Sequence, residues 1–338
     1  MRTISSPRAA ISIKARLGAR SAPYAAAALA LLCFSTTSYA MEFKRIGTTL
    51  ILSGEVVARD LDRARAEFKM APSISHVVLR NSMGGNSWTG YRLGELFREQ
   101  GVTTAVSGHC ISSCSRLFLG GRHRQFSDDY PASLTFVGFH GHYDFGRLNK
   151  QAVEKNDLAR WTIKFTDGKV DPALLQRWIN IERRSGDARF YPPAVSAQWN
   201  EASFLCLGTE SSKPTQCVRL GTAALVQGII TTTALYASPD AATLPFKLRE
   251  TRFPTTSYAT LHDVAKLPAA TAAKRKDYVQ FLASALPRAF AVSANGRQWA
   301  WSGNDNLSTD RAVERCELKA KARCQLYAVD ERVVFRAP

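Results

Sequence analysis

Acidic residues are the scarcest common resource of this 338-residue chain, with 28 Asp and Glu against 45 Lys and Arg, and none of the acids precedes Glu42. The basic excess is dispersed. Its densest run, Lys274-Arg275-Lys276, is too short to mark a nucleic-acid surface, so no specific nucleic-acid binding is expected. There is also no CxxC pair with histidines nearby, which removes the usual signature of a structural zinc site. No low-complexity tract dominates, and beyond the first 40 residues no apolar stretch is long enough to span a bilayer.

What is present at the start has the pattern of a processing signal. Arg2, Arg8, Lys14, Arg16 and Arg20 are followed by the Ala/Leu run Tyr24 to Phe34 and by the small-x-small triplet Ser38-Tyr39-Ala40. Cleavage there leaves a mature chain beginning at Met41. Leu32 stands before Cys33 where a lipid-anchored protein would carry a small residue, so no lipid anchor is expected; an uncleaved N-terminal anchor is the alternative. The expected location is therefore outside the cytoplasm, periplasmic or secreted. Without the five basic residues of the leader the net charge is +12, which favours anionic surfaces of the cell envelope as contacts.

Of the seven cysteines, Cys33 leaves with the leader. Those that remain are even in number, as in an exported protein stapled by disulfides. Proximity favours Cys110–Cys114, Cys206–Cys217 and Cys316–Cys324.

The periodicity gives strands at Thr48 to Val57, His76 to Arg80, Val102 to Val106 and Ser133 to Phe139. Helices are read at Arg59 to Met70, at Ser87 to Gln100 (stopped by Gly101) and, briefly, from Arg116 to Gly121. This alternation predicts an α/β fold with a largely parallel sheet. Gly221 to Thr232 reads as a helix turning into a strand. The Ala-, Pro-, Thr- and Ser-rich stretch 237–272 reads as a linker with some structure. Asp277 to Leu286 reads as a helix, Arg288 to Val292 with Gln298 to Trp301 as a hairpin, Ala312 to Ala322 as a helix and Gln325 to Phe335 as closing strands.

Around Gly108-His109-Cys110-Ile111-Ser112-Ser113-Cys114 the chain passes from strand to helix through small residues. Such a turn suits a nucleophile, because the helix N-terminus supplies unpaired N–H groups and a positive dipole end. Ser112 is the candidate nucleophile. The Ser113 N–H follows it, and Gly85, in the Gly84-Gly85 pair at another strand end, can bring a second N–H close to an oxyanion. His140, where an apolar strand ends, is the candidate base.

This order resembles the Clp protease proteolytic subunits and the wider Clp/crotonase superfamily, with a loop Ser82-Met83-Gly84-Gly85, the Ser112 turn, and a strand ending in His140. The family has Pro where Met83 stands and Ala where Cys110 stands. The resemblance implies a spiral of β-β-α units, a serine peptidase mechanism without cofactor, a peptide or protein substrate, and homo-oligomers. It also implies a triad acid, which falls on Asp187 of Asp187-Ala188-Arg189-Phe190, one residue longer than the family's Asp-Arg-Phe. More closely, the Cys-x-Ser-x-Cys turn resembles a branch of exported bacterial Clp-like proteins. The patterns Arg288-Ala289-Phe290-Ala291-Val292 and Tyr327-Ala328-Val329-Asp330 resemble a small disulfide-bearing domain found on other secreted bacterial proteins.

The expected organisation is a signal peptide at 1–40, a Clp/crotonase-like domain at 41–235, a linker at 236–282 and a small α+β domain at 283–338. Three rival readings are a metal held by His140, His142 and Asp144, a lysine base at Lys150 or Lys155, and a catalytically inactive Clp-like binding or scaffold protein.

Overall fold

The computed structural model describes residues 40–210 and 213–337, so the expected signal peptide lies, apart from Ala40, outside the described residues. The described residues from Ala40 onward belong to one compact unit, and among them no helix is long and apolar enough to cross a membrane.

The first half alternates strand and helix. β1 (Glu42–Ile46) and β2 (Thr49–Ser53) form an antiparallel hairpin, followed by α1 (Asp60–Lys69), β3 (His76–Ser82), α2 (Ser87–Gln100), β4 (Thr103–Ile111), α3 (Ser113–Gly120), β5 (His123–Ser127) and β6 (Phe136–Phe139). β2, β3 and β4 pair in parallel, and β4 pairs in parallel with both β5 and β6. Their apolar runs are buried on both faces, as parallel strands require. Leu50, Leu52, Val77, Leu79 and Val106 join the main core, while Ile51, Val78 and Ala105 form a smaller cluster. α1 to α3 add Leu61, Leu93, Phe97 and Leu117 to the main core. α2 lies very close to α3: a Cβ on Gly90 would come within 2.7 Å of the Ser113 side chain, and one on Gly94 within 2.6 Å of the Arg116 carbonyl.

After β6 come the two-residue strands β7 (Tyr143–Asp144) and β8 (Arg147–Leu148), then α4 (Lys150–Lys155), α5 (Leu158–Phe165) and α6 (Pro172–Ile179). β9 (Asp187–Phe190) runs antiparallel to β6 and leads through α7 (Ser196–Trp199) to β10 (Ser203–Cys206) and β11 (Val218–Arg219). The sheet order is β1-β2-β3-β4-β6-β9-β10-β11, with β5 beside β4 and β12 (Leu235–Tyr236) beside β5.

Gly221 to Thr232 is neither helix nor strand but a series of turns. The cause is a buried arginine far away in sequence: Arg124 donates to the Gly228 and Ile229 carbonyls, and Gly228 takes φ +65°. Ile229 and Ile230 are pulled into the core by this arrangement. A second buried arginine, Arg80, bonds Asp129, Asp240, Ser107 and Ser238, tying β3 to the chain beyond β12.

The last third builds a separate sheet, β14-β13-β15-β16, from β13 (Ala289–Ser293), β14 (Trp299–Ser302), β15 (Cys324–Val329) and β16 (Arg332–Val333). Between residues 236 and 282 lie α8 (Pro245–Arg252) and the start of α9 (Ala272–Ala283). Leu267, Tyr278 and Phe281 from this stretch are buried in the second core with Phe290, Val292 and Tyr327. α10 (Ser308–Ala320) is tied to β15 by Cys316–Cys324. The other two disulfides are Cys110–Cys114 and Cys206–Cys217, so all three sequence-local pairs form.

Candidate active site

β4 and β6 are neighbouring parallel strands in register, with Ile111 opposite Gly138, so Ser112 and His140 both lie just beyond their C-terminal ends. Ligand sites in α/β sheets occupy this position. Ser112 sits between the end of β4 and the first residue of α3 with φ 61° and ψ −124°. A non-glycine residue adopts that conformation only under strain, on the order of 1–3 kcal/mol, and only where its surroundings enforce it. Here they do. The Ser112 N–H donates to the Gly138 carbonyl at 3.1 Å, and the Ser112 carbonyl accepts from the Ser115 N–H at 3.0 Å and from the Ser115 hydroxyl at 2.6 Å. The fully buried Cys110–Cys114 bridge closes the turn around it.

The Gly84-Gly85 loop packs directly on this turn. A Cβ at Gly84 would lie 2.7 Å from the Ser112 Cβ and 2.8 Å from the Ser113 nitrogen, so only glycine fits. Gly85, at φ +144°, passes Val56 too closely for a side chain. The loop is fixed by Val56 N–H to the Gly84 carbonyl (2.8 Å) and Asn86 N–H to the Val56 carbonyl (2.7 Å). Among the described residues, the Gly85 and Ser113 N–H groups donate to nothing, as an oxyanion pair must before substrate arrives.

His140 is half-buried. Its Nδ1 lies 2.7 Å from the Gly141 carbonyl, and since a carbonyl only accepts, Nδ1 carries the proton and Nε2 is left as the basic nitrogen. Burial lowers its pKa to about 4; the Gly141 hydrogen bond opposes this, and the charges of Arg116 and Arg184 add to it. Ser112 Oγ makes no hydrogen bond to His140 or to any other described residue, and Nε2 is likewise unbonded.

Asp187 starts β9, one position past the Phe139–Ala188 pair, and so lies at the strand end next to His140. It does not bond His140. Its Oδ1 takes Arg189 Nε at 2.6 Å, while Oδ2 lies against Gly138. Burial outweighs the pull of Arg189 and raises the Asp187 carboxyl to about 6. The resting structure thus gathers Ser112, His140, Asp187, Gly85 and Ser113 at adjacent strand ends, with the Gly141 carbonyl on the ring nitrogen expected for the acid.

Lys150 and Lys155 are exposed on α4. Among the described residues no group of three or more His, Cys, Asp or Glu side chains is placed to hold a metal, and His142 Nε2 is bonded to the Tyr91 hydroxyl at 2.9 Å. The sequence reading offered His142 only as a metal ligand and missed Tyr91 and Arg116, which converge with it beside His140. No local pattern signals Tyr91 and Arg116, because they come from two separate helices, α2 and α3.

No family model and no curated protein matches the chain. Among solved structures it is similar to ClpP1 from Listeria monocytogenes, with 12% identity and a TM-score of 0.36 over 57% of this chain and 93% of that one. An Asn-to-Asp mutant of that protein matches with 13% identity and a TM-score of 0.34 over 57% of this chain and 94% of that one.

Proposed function

We propose that this chain is an exported serine hydrolase, a peptidase without cofactor. Ser112 Oγ attacks the acyl carbon while His140 Nε2 takes its proton, and the Gly85 and Ser113 N–H groups hold the oxyanion. The Gly141 carbonyl fixes the tautomer and faces the imidazolium that forms. His140 then returns the proton to the leaving amine, and water releases the acyl group by the same path in reverse. On this reading residues 41–235 are a Clp/crotonase-like spiral of β-β-α units and 283–338 an accessory domain, the basic surface meets the anionic envelope, and the leader at 1–40 directs export. Association of several copies belongs to the same reading.

The observation that carries the proposal is the strained backbone of Ser112 at a strand-to-helix turn, against a glycine loop with an idle N–H. Labelling by a neutral fluorophosphonate tests it: wild type should react and Ser112→Ala should not. The missing Ser112–His140 hydrogen bond favours the rival, an inactive binding or scaffold protein. That reading stands if wild type and Ser112→Ala behave alike.

A further inference from the structure

Arg116, on α3 one helical turn after Ser112, is only 3% exposed. A buried guanidinium is strongly destabilising unless an anion meets it. Among the described residues none does. The side chain that offsets its burial is Tyr91, whose ring lies 4.7 Å from the guanidinium carbon. Its Nε is buried without an acceptor. Trp161 meets the same Tyr91 edge-on at 5.3 Å, and its indole N–H is also buried without an acceptor. Asp157 influences Tyr91 but bonds Arg160 at 2.9 Å. Two orphaned donors therefore flank one tyrosine, and among the described residues no carboxylate serves them.

The place matters. Arg116 stacks on the Tyr91 ring, the Tyr91 hydroxyl bonds His142 Nε2 at 2.9 Å, and His142 stands two residues after the proposed base; the Arg116 charge acts on both histidines. His140 is only half-buried, so solvent reaches this side of the site. Arg184, whose charge also acts on His140, lines an open cleft of about 690 Å³ with Arg147, Arg183 and Glu182.

We propose that Arg116 is the counter-charge for a carboxylate on the substrate, so that the Ser112 site selects anionic peptides. This rests on the hydrolase reading. The carboxylate comes either from an acidic side chain next to the scissile bond or from a free C-terminus.

Matched peptide substrates separate the two sources: Glu against Gln beside the scissile bond, and free acid against amide at the C-terminus. Wild type should prefer the charged member of one pair by roughly 10- to 100-fold in kcat/KM. Arg116→Met should lose that preference and Arg116→Lys keep part of it. A neutral fluorophosphonate should still label Ser112 in Arg116→Met, which separates lost selectivity from a lost site. If Arg116→Met does not fold, Arg116→Lys carries the comparison. Independently of turnover, glutarate should raise the thermal midpoint of wild type, its diamide should not, and the shift should vanish in the Arg116 variant. If Ser112 takes no probe at all, this shift alone decides. Equal rates within both pairs together with no glutarate shift would overturn the proposal, as would a preference that survives in Arg116→Met. It would also fall if glutarate had no effect and Arg116→Met abolished self-association, because a second copy would then supply the anion.

Discussion

Two disulfides of this protein close short rings and do different work. Cys110–Cys114 spans four positions and Cys316–Cys324 spans eight. By loop-closure entropy each restricts the unfolded chain by about 2–3 kcal/mol, so the two hardly differ there. They differ in what the folded ring contains. The first encloses Ser112 at φ 61°, wedged against Gly84, with both sulfurs fully buried. The second joins the end of α10 to β15 and holds no strained residue except Lys321, which sits in ordinary left-handed geometry as the helix cap. A staple of equal thermodynamic weight thus serves stability in one place and a specific backbone angle in the other.

The widest separation should come from the enclosed residue itself. Ser112→Ala should lower hydrolysis by at least ~10³-fold, and adding His140→Ala should cost little more, because the two act as one unit. Ser112→Gly should be equally inactive yet more stable than wild type by about 1 kcal/mol, since glycine accepts the positive φ without strain. Urea unfolding read beside activity checks both; a destabilised Ser112→Gly would show that the turn carries no stored strain.

The disulfides give the next largest contrast. Cys110→Ser with Cys114→Ser should reduce kcat/KM by ~10-fold or more. Cys316→Ser with Cys324→Ser should leave it within about twofold while lowering stability by about 2–3 kcal/mol. Equal losses of activity would erase the distinction.

Asp187→Asn should change kcat/KM by less than ~10-fold, because the carboxylate bonds Arg189 and the Gly141 carbonyl occupies His140 Nδ1. A triad acid replaced by its amide costs about 10⁴-fold, so a loss of that size would restore Asp187 as the orienting group.

The smallest effect is on the pH profile. His140 must be neutral to act as base, and burial lowers its pKa to about 4 from the ordinary histidine value of 6.5. The acid limb of kcat/KM should therefore fall near pH 4. The neutral burial of His140 contributes stability that is fully present above pH 6.5 and lost as pH falls through about 4. Arg116→Met should move the limb upward, because the charge of Arg116 opposes protonation of His140.

Local patterns made much of this molecule legible. The buried parallel strands His76–Ser82 and Thr103–Ile111 and the amphipathic helix Ser87–Gln100 follow from periodicity, and the three disulfides from spacing. The strand-to-helix turn at Ser112 follows from its small residues. Contacts made across long sequence separations do not follow from local pattern. Arg124 reshapes residues 221–232 from about a hundred positions away, and Arg189 takes the carboxylate that the resemblance assigns to His140. The helix face carrying Arg116 gave no hint that its charge would be buried without a partner.

The most direct measurement is the mass-spectrometric location of a fluorophosphonate adduct on the oxidised, full-length protein. The account predicts a single adduct on Ser112, within the peptide still closed by Cys110–Cys114 and lost in His140→Ala. No adduct, or one on another residue that persists in Ser112→Ala, would contradict it.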